Sequence, residues 1–292
     1  MKLLSRLPVF RTVTALTQQL TDSKAQVRAL REKLNTLKDD VTRLQAHEQT
    51  VRALETRVLD ERRLRQILKA EGRQHQTADP FPHTVIDAFL DPGLLQRVAT
   101  EFAGMDRTDW RHSNSAYERK RSTEDERRFG PFTSKVVTAL NSGAFLAFLE
   151  QLSGISGLVA DPHLRGGGLH EIEPGGKLDV HADFNVYERL KVYRRLNLLL
   201  YLNTSWQDDW GGQLELWSAD GTTRVKRITP TFNRAVIFDT SNRSYHGHPH
   251  PLACPEGESR KSIALYYYTT EYPYLEDLAP HSTLFVPTAP GT

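Results

Sequence analysis

The sequence predicts a mainly β fold with flanking helices, a double-stranded β-helix or jelly roll, preceded by an α-helical coiled coil. Three observations support this prediction: about eight short alternating runs after residue 164, two apolar helical stretches before them, and a seven-residue apolar repeat near the N-terminus. Many short strands separated by turn residues are typical of double-sheet β folds. The 292 residues suffice for a sizeable core.

The N-terminal repeat predicts the coiled coil. Nine of its ten a and d positions are apolar, and a spacing of three and four sustained over several heptads keeps one seam on one side of a helix. The a positions are Val13, Leu20, Val27, Leu34 and Val41, and the d positions are Leu16, Ser23, Leu30, Leu37 and Leu44. A single helix lying on the globular domain is the alternative interpretation.

Charge separates this segment from the rest of the chain. Residues 1–79 carry 16 basic and 10 acidic side chains, residues 80–292 carry 22 and 26, and the whole chain has a formal charge of +2. The near-neutral total predicts no nucleic-acid partner. No apolar run approaches the roughly 20 residues of a membrane span, and no signal peptide is evident, so we expect no membrane partner. The single cysteine, Cys254, fits a reducing compartment, and we expect a cytoplasmic protein.

The segment from Gly72 to Pro82, GRQHQTADPFP, is typical of a linker because glycine and proline stop helices. It separates a coil predicted over residues 1–75 from a globular domain predicted over residues 80–275. Residues 276–292 are expected to form a C-terminal tail. We expect the coil to oligomerise the chain or to dock it on a partner.

The globular domain is predicted to begin with a short strand, HTVIDAFL, and a helix that ends near Phe102. Residues 106–130 are crowded with charge and predict a long surface loop, a candidate substrate lid. A second helix is expected over Ser134–Leu152. The predicted strands lie near residues 166–173, 178–184, 195–203, 212–218, 223–229, 233–239, 244–248 and 260–270.

Candidate metal ligands lie in two of these strand regions. In KLDVHADFN, His181 and Asp183 are two residues apart, so on a strand both project from the same face. An apolar strand, AVIFD, is followed by His246, His248 and His250 at alternate positions. Taken alone, the first pair is typical of many surfaces, and the three histidines fit either a zinc site or a polar loop.

A third motif, ESRKSIALYYYT, places Arg260 and Ser262 on one face of the last strand. A guanidinium at the inner end of an apolar strand is suited to gripping a carboxylate through two parallel hydrogen bonds. A structural salt bridge is the alternative for Arg260. Tyr266–Tyr268 in the same strand are expected to alternate between core and surface.

In chain order these motifs resemble the Fe(II)/2-oxoglutarate-dependent dioxygenases, and most closely their prolyl 4-hydroxylase-like branch. Two histidines and one carboxylate are the facial triad of such enzymes. The resemblance covers residues 80–272 and excludes the coil. It is strongest in GGKLDVHADFN, RRLNLLLYLN, DWGGQLELW, VIFDTSNRSYHGHP and SRKSIALYYY.

The resemblance implies roles for individual residues. It makes His181 and Asp183 the proximal metal ligands and selects His246 as the distal ligand, because glycine follows it, with His248 as the fallback. The co-substrate residues that it implies are Arg260 for the far carboxylate of 2-oxoglutarate, assisted by Ser262 and Tyr201.

The implied cofactors are Fe(II), 2-oxoglutarate and O₂, with ascorbate as a reductant. The implied activity is hydroxylation of a prolyl residue in a peptide or protein, coupled to decarboxylation of 2-oxoglutarate to succinate. Hydroxylation of a small molecule or sugar-linked metabolite is the alternative within the enzyme class. A catalytically inactive binding module tethered by the coil is the alternative outside it. We expect a homo-oligomer through the coiled coil.

Overall fold

The computed structural model describes residues 8–55, 57–272 and 279–286 of the chain. Its internal contacts divide the chain into two compact units, residues 1–56 and residues 57–292. The boundary between the two units therefore lies before the linker that the sequence predicted from Gly72 to Pro82. The second unit consequently begins with a helix that the sequence analysis assigned to the N-terminal segment.

The described part of the first unit is a single helix, α1, Pro8–Glu55. The nine apolar a and d positions of its predicted seam are between 48% and 68% exposed. Exposed ion pairs one turn apart, Arg28 with Glu32 and Arg43 with Asp40, support the polar surface of the helix. An exposed apolar stripe of this length is suited to a partner helix.

The second unit begins with α2, Glu61–Thr77, whose N-cap Asp60 accepts a hydrogen bond from the backbone N–H of Arg62. Leu64 and Ile67 are buried, and the helix packs against the first strand and the last helix of the unit. Gly72 does not end this helix, contrary to the linker prediction, because tertiary packing on both sides outweighs the modest cost of a helical glycine.

Three further helices precede most of the sheet. They are α3, Pro92–Gly104; α4, Pro131–Leu140; and α5, Gly143–Ser153. The helix predicted over Ser134–Leu152 is thus two helices with a bend of 50° between them. Ser142 caps α5 by accepting a hydrogen bond from the backbone N–H of Phe145, which explains the break. No single helix in the described ranges is long and apolar enough to cross a membrane, although α4 and α5 together meet that criterion by length and composition only.

The strands form one curled sheet whose described ladders are all antiparallel. They are β1 His83–Ile86, β2 Arg111–Asn114, β3 Glu118–Thr123, β4 Val159–Ala160, β5 Gly168–Ile172, β6 Lys177–Ala182, β7 Val186–Tyr187, β8 Val192–Tyr201, β9 Leu214–Trp217, β10 Arg224–Ile228, β11 Ala235–Asp239, β12 His246–His248, β13 Arg260–Thr269 and β14 Leu284–Phe285. The main order is β1-β11-β8-β13-β5-β3-β6-β12-β9-β10. The eight strands predicted after residue 164 are confirmed as β5, β6 and β8 to β13, and the mainly β, jelly-roll-like fold is confirmed with them.

The charged segment 106–130 is not a loop throughout. It forms the hairpin β2–β3 and a short 3-10 turn, Glu126–Arg128, and β3 pairs with both β5 and β6. Backbone hydrogen bonds to strands distant in sequence hold this hairpin. Its own residues are mostly charged or polar, so the sequence lacks the apolar alternation that would predict two strands here. Arg107 anchors the segment through a 3.1 Å ion pair with the buried Glu171 of β5.

Both faces of the last long strand are buried, which corrects the expectation for Tyr266–Tyr268. Tyr266 faces the inside of the curled sheet and donates a hydrogen bond to the carbonyl of Gly166 at 2.9 Å. Tyr267 points the other way and donates to the carbonyl of Leu140 at the end of α4. The helices therefore cover the outer face, and no tyrosine of the three reaches the surface.

Residues 279–286 of the predicted tail are part of the fold. In β14, Phe285 lies opposite His181 of β6, and its ring stacks on Tyr117 at 4.8 Å between centroids. Asn185 holds the segment by donating to the carbonyl of Ala279 and accepting from the backbone N–H of His281. The C-terminal segment thus borders the inside of the sheet.

Candidate active site

A cavity of about 1140 Å³ opens inside the curled sheet. The strands β5, β6, β8, β12 and β13 contribute polar side chains to its lining, and the hairpin β2–β3 and the segment before β14 also line it. The polar side chains that line it include His170, His181, Asp183, Arg194, Asn197, His246, His248, Arg260 and Ser262.

His181, Asp183 and His246 meet at one point of this cavity. His181 and His246 are register partners on the neighbouring strands β6 and β12, and Asp183 follows β6 directly. Each residue offers one ligand atom, and the three atoms lie within 4.8 Å of one another. The Nε2 atoms of His181 and His246 are 3.7 Å and 3.6 Å from the Asp183 carboxylate. The structure therefore brings together the three residues that the sequence selected.

Hydrogen bonds orient both imidazoles toward this point. The Nδ1 of His181 lies 2.8 Å from the carbonyl of Asp179, and the Nδ1 of His246 lies 2.9 Å from the carbonyl of Ser244. Because Nδ1 must donate its proton to a carbonyl, Nε2 keeps a free lone pair that faces the carboxylate. Burial, with the neighbouring His181, lowers the pKa of His246 to about 4, so its ring is neutral near pH 7.

The carboxylate of Asp183 is charged. Burial opposes its ionisation, but the charge of Arg194 and the two imidazoles lower the pKa of Asp183 well below its ordinary value. Two imidazoles and one carboxylate at this spacing match the donor set of a facial triad for a divalent transition metal. The residues present therefore fit an Fe(II) ion.

Arg260 lies at the inner end of β13 and is only 5% exposed. Its Nε donates to the carbonyl of Gly212 at 2.7 Å, and one terminal nitrogen donates to the hydroxyl of Tyr201 at 3.0 Å. Within residues 8–55, 57–272 and 279–286, Arg260 has no ion pair with a carboxylate. A buried guanidinium without an internal carboxylate fits an anionic ligand, and 2-oxoglutarate carries the carboxylate that it lacks.

Residues 167–268 match the 2OG-Fe(II) oxygenase superfamily. The match runs from the start of β5 almost to the end of β13 and includes His181, Asp183, His246 and Arg260. The chain contains a 2OG-Fe(II) oxygenase domain. Proteins of this superfamily use Fe(II), 2-oxoglutarate and O₂.

Prolyl hydroxylases are among the proteins to which this chain is similar. The chain is 30% identical to mouse (Mus musculus) prolyl 3-hydroxylase OGFOD1 over 195 residues, which are 65% of this chain and 33% of the mouse protein. The chain thus matches about a third of that relative's length. A prolyl hydroxylase from Trichoplax adhaerens, solved in complex with a hypoxia inducible factor oxygen degradation domain peptide fragment, has the same fold, with a TM-score of 0.50 and 18% identity over 72% of this chain and 94% of that one. A Pseudomonas putida prolyl-4-hydroxylase aligns with a TM-score of 0.46 and 19% identity over 69% of this chain and 98% of that one.

The two other predicted co-substrate residues of the oxygenase domain differ in their placement. Ser262 is 2% exposed and lines the cavity beside Arg260. Tyr201 is fully buried and is not among the cavity-lining residues, so its described link to the cavity is the hydrogen bond that it accepts from Arg260. Burial raises the pKa of Tyr201, and its hydroxyl therefore stays protonated near pH 7.

Two residues of the oxygenase domain that contact Asp183 were missed by sequence reasoning. Asn197 donates to one carboxylate oxygen of Asp183 at 2.7 Å, and Arg194 reaches the same oxygen at 3.1 Å. Arg194 is 2% exposed and lies over the ring of Tyr266 at 3.4 Å. The sequence did contain an indication of both residues, since an arginine and an asparagine occur inside an otherwise apolar strand. Polar side chains that are buried in this way need polar partners.

The predicted lid contributes only partly to the cavity. Arg111 and Lys120 of the hairpin β2–β3 are among its lining residues. Trp110, at the start of the hairpin, is 3% exposed and packs edge to face on Phe102, so it belongs to the core. Tyr117 is 44% exposed at the hairpin tip and stacks on the C-terminal segment.

Proposed function

We propose that this chain is an Fe(II)- and 2-oxoglutarate-dependent hydroxylase whose substrate is a prolyl residue of a peptide or protein. The observation that carries the proposal is the presence, in one cavity, of the His181–Asp183–His246 cluster and of a buried arginine without an internal carboxylate. The prolyl hydroxylase relatives support the substrate class.

Fe(II), 2-oxoglutarate and O₂ supply the oxidising chemistry, in which 2-oxoglutarate is converted to succinate and CO₂ while a substrate C–H becomes C–OH. The chain's own residues bind and orient the metal and the co-substrate. His181, Asp183 and His246 hold the metal, with both imidazoles fixed by backbone carbonyls. Arg260 pairs with the far carboxylate of the co-substrate, and Tyr201 and the carbonyl of Gly212 hold the guanidinium in place.

Apolar residues complete the same cavity. Leu199, Leu214 and Phe238 line its wall beside the metal cluster, and the ring of Phe238 lies 4.7 Å from that of His246. These side chains exclude water from the reacting groups and strengthen the charged interactions inside. The cavity, of about 1140 Å³, has room for the co-substrate and for part of a substrate.

The proposal is tested by turnover. The full chain is incubated with Fe(II), 2-oxoglutarate and O₂ in the presence of proline-containing peptides, and succinate and peptide mass are measured. We expect succinate together with a mass gain of one oxygen, absent from matched peptides in which proline is replaced by alanine. His181→Ala and Asp183→Ala should abolish both products without unfolding the domain. Oxygen incorporation only into small molecules, or no succinate at all, would contradict the proposal.

We also propose that α1 forms a coiled coil with a second copy of this chain. Three of the five a positions of the exposed seam are valine and four of the five d positions are leucine, a combination that favours two-stranded coils. In a parallel pair Lys33 at g would face Lys38 at e, and the two charges would repel each other. The orientation of the two helices is therefore to be measured together with the mass of the assembly.

A further inference from the structure

His248 is a buried histidine of the oxygenase domain without internal hydrogen bonds. Its side chain is 3% exposed, and within the described part of the chain neither ring nitrogen has a hydrogen-bond partner. The rings of the other buried histidines, His75, His83, His181 and His246, each make at least one such bond. Buried polar groups in native proteins are nearly always paired, so an unpaired imidazole calls for a partner from outside the chain.

The position of His248 shows where that partner lies. His246 and His248 are two residues apart on β12, and both line the cavity. The backbone of β12 packs closely on β6 at this point, since a Cβ at Gly247 would lie 2.8 Å from the carbonyl oxygens of Leu178 and Asp179. His248 therefore faces the cavity from the same closely packed strand as His246.

The strand register locates His248 on the Arg260 side of the metal cluster. Gly247 pairs with Glu215 of β9, and the chain that leads into β9 contains Gly212, whose carbonyl accepts the hydrogen bond from Arg260. His248 is not part of the cluster of possible metal ligands formed by His181, Asp183 and His246. Its ring thus lies beside the space between the metal cluster and Arg260, which the body of a bound dicarboxylate would fill.

We propose that His248 is a binding residue for 2-oxoglutarate, with its ring N–H donating a hydrogen bond to an oxygen of the co-substrate. This inference rests on the proposed function, since it needs 2-oxoglutarate in the same cavity. It adds a polar contact to those expected from the metal, Arg260 and Ser262. It also explains why a polar ring without partners is buried at this point.

The test uses the full chain loaded with Mn(II), a redox-inert metal, and titrates 2-oxoglutarate by calorimetry. His248→Phe keeps a planar ring and removes both nitrogens, and it should weaken 2-oxoglutarate binding at least tenfold. His248→Gln retains an N–H donor and should lose less. His250→Phe is the matched control, because His250 is exposed two residues further on, and it should bind like the wild type.

Stability supplies a second readout, which a purely structural role would move in the opposite direction. Without co-substrate, His248→Phe should melt at the wild-type temperature or above it, because an unpaired buried polar group has been removed. Saturating 2-oxoglutarate should raise the melting temperature less in this variant than in the wild type. A variant that is destabilised without co-substrate and keeps its 2-oxoglutarate affinity would overturn the proposal.

Two further outcomes separate this inference from the function on which it rests. If His248→Phe loses Mn(II) affinity, His248 is a metal ligand and the inference is wrong. If His248→Phe binds 2-oxoglutarate within twofold of the wild type, ordered water or packing satisfies the ring, and the inference is wrong while the proposed function stands. If the wild-type protein binds no 2-oxoglutarate, the proposed function itself fails.

Discussion

Asp183 joins three kinds of interaction in one carboxylate. One of its oxygens accepts a hydrogen bond from Asn197 and pairs with Arg194, while the carboxylate also lies within 3.7 Å of the imidazoles of both candidate ligands. The paired cation lets a buried carboxylate remain ionised despite the cost of desolvation. A charged Asp183 offers a metal ion a negative ligand whose orientation is set before the metal arrives.

Arg260 allows a direct prediction at this scale. Arg260→Ala should raise the 2-oxoglutarate concentration needed for half-saturation at least tenfold, because charge-assisted hydrogen bonds contribute about 1.5–3 kcal/mol and about 1.4 kcal/mol is tenfold. Arg260→Lys should fall between alanine and wild type, since it keeps the charge and loses the planar fork. Ser262→Ala should act in the same direction with a smaller effect. Titration of the Mn(II)-loaded protein measures each affinity.

The control for this series is Arg243→Ala, a change at an exposed arginine outside the cavity. It should leave the affinity for 2-oxoglutarate unchanged, and metal affinity should be unchanged in every variant of the series. Equal co-substrate affinity in Arg260→Ala and wild type would remove Arg260 from the site.

His170 leads to a prediction about pH. Burial, reinforced by the charges of Lys120 and Arg260, lowers the pKa of His170 to about 3, although its Nε2 contacts the carbonyls of Gly166 and Gly167. Between pH 6.5 and about 3 the unfolded chain therefore binds a proton at His170 that the native state does not. The free energy of unfolding should therefore decrease as the pH is lowered through this window. The decrease is at most about 1.4 kcal/mol per pH unit, and it is smaller than this limit because the ring is partly exposed.

The measurement is urea unfolding at pH 7, 6 and 5 for the wild type and His170→Gln, an amide that can still donate to the glycine carbonyls. The free-energy difference between the two proteins should shift in favour of the variant as the pH falls. A difference that is independent of pH would show that His170 takes up its proton equally in both states.

At the scale of elements, α1 and α2 are both charged helices, but they differ in the exposure of their apolar side chains. The apolar seam of α1 is exposed, whereas Leu64 and Ile67 of α2 are buried and its His75 bonds to Thr84 and to Asp239. Burial raises the pKa of Asp239, and His75 is its partner. Helix α2 therefore contributes to the stability of the oxygenase domain.

Two truncations test this division. Removal of residues 1–56 should leave a cooperatively folding domain with the melting temperature of the parent unit, because α2 remains in place. Removal of residues 1–77 should lower the melting temperature strongly or cause aggregation, because it uncovers α5 and leaves Asp239 without its partner. Thermal unfolding followed by circular dichroism compares the two.

A point variant supports the same prediction within the shorter truncation. Ile67→Ala should cost about 2–5 kcal/mol of unfolding free energy, as buried large-to-alanine changes do, while the exposed Lys69→Ala should cost little. If the 1–77 truncation is as stable as the 1–56 truncation, α2 contributes nothing to the domain.

At the scale of the whole molecule, assembly and turnover are expected to be separable. Leu30→Asp with Leu37→Asp places charge in the proposed seam and should lower the mass measured by light scattering to that of a single chain. Ala25→Asp, on the opposite side of the same heptad helix, is the control and should keep the assembly intact. Decarboxylation of 2-oxoglutarate should persist in both variants. An unchanged mass in the double variant would refute a coil formed through this seam.

The sequence by itself determined the features that are periodic or local. The seven-residue repeat set the apolar stripe of α1, and alternation with turn residues set the eight strands from β5 to β13 that the prediction named. Spacing two residues apart predicted that His181 and Asp183 share one side of the chain at the end of β6, and an arginine in an apolar strand marked Arg260 as a candidate carboxylate-binding residue. These properties depend on residues a few positions apart, so the chain order alone contains them.

The tertiary structure alone decided the features that depend on partners distant in sequence. The hairpin β2–β3 exists because β5 and β6 supply its hydrogen bonds, and Tyr267 is buried because α4 covers the outer face of β13. The pairing of Asn197 with Asp183 and the unpaired ring of His248 likewise appear only when the curled sheet brings its strands together. Backbone pairing and polar satisfaction are properties of the assembled surroundings, and no local pattern in the sequence encodes them.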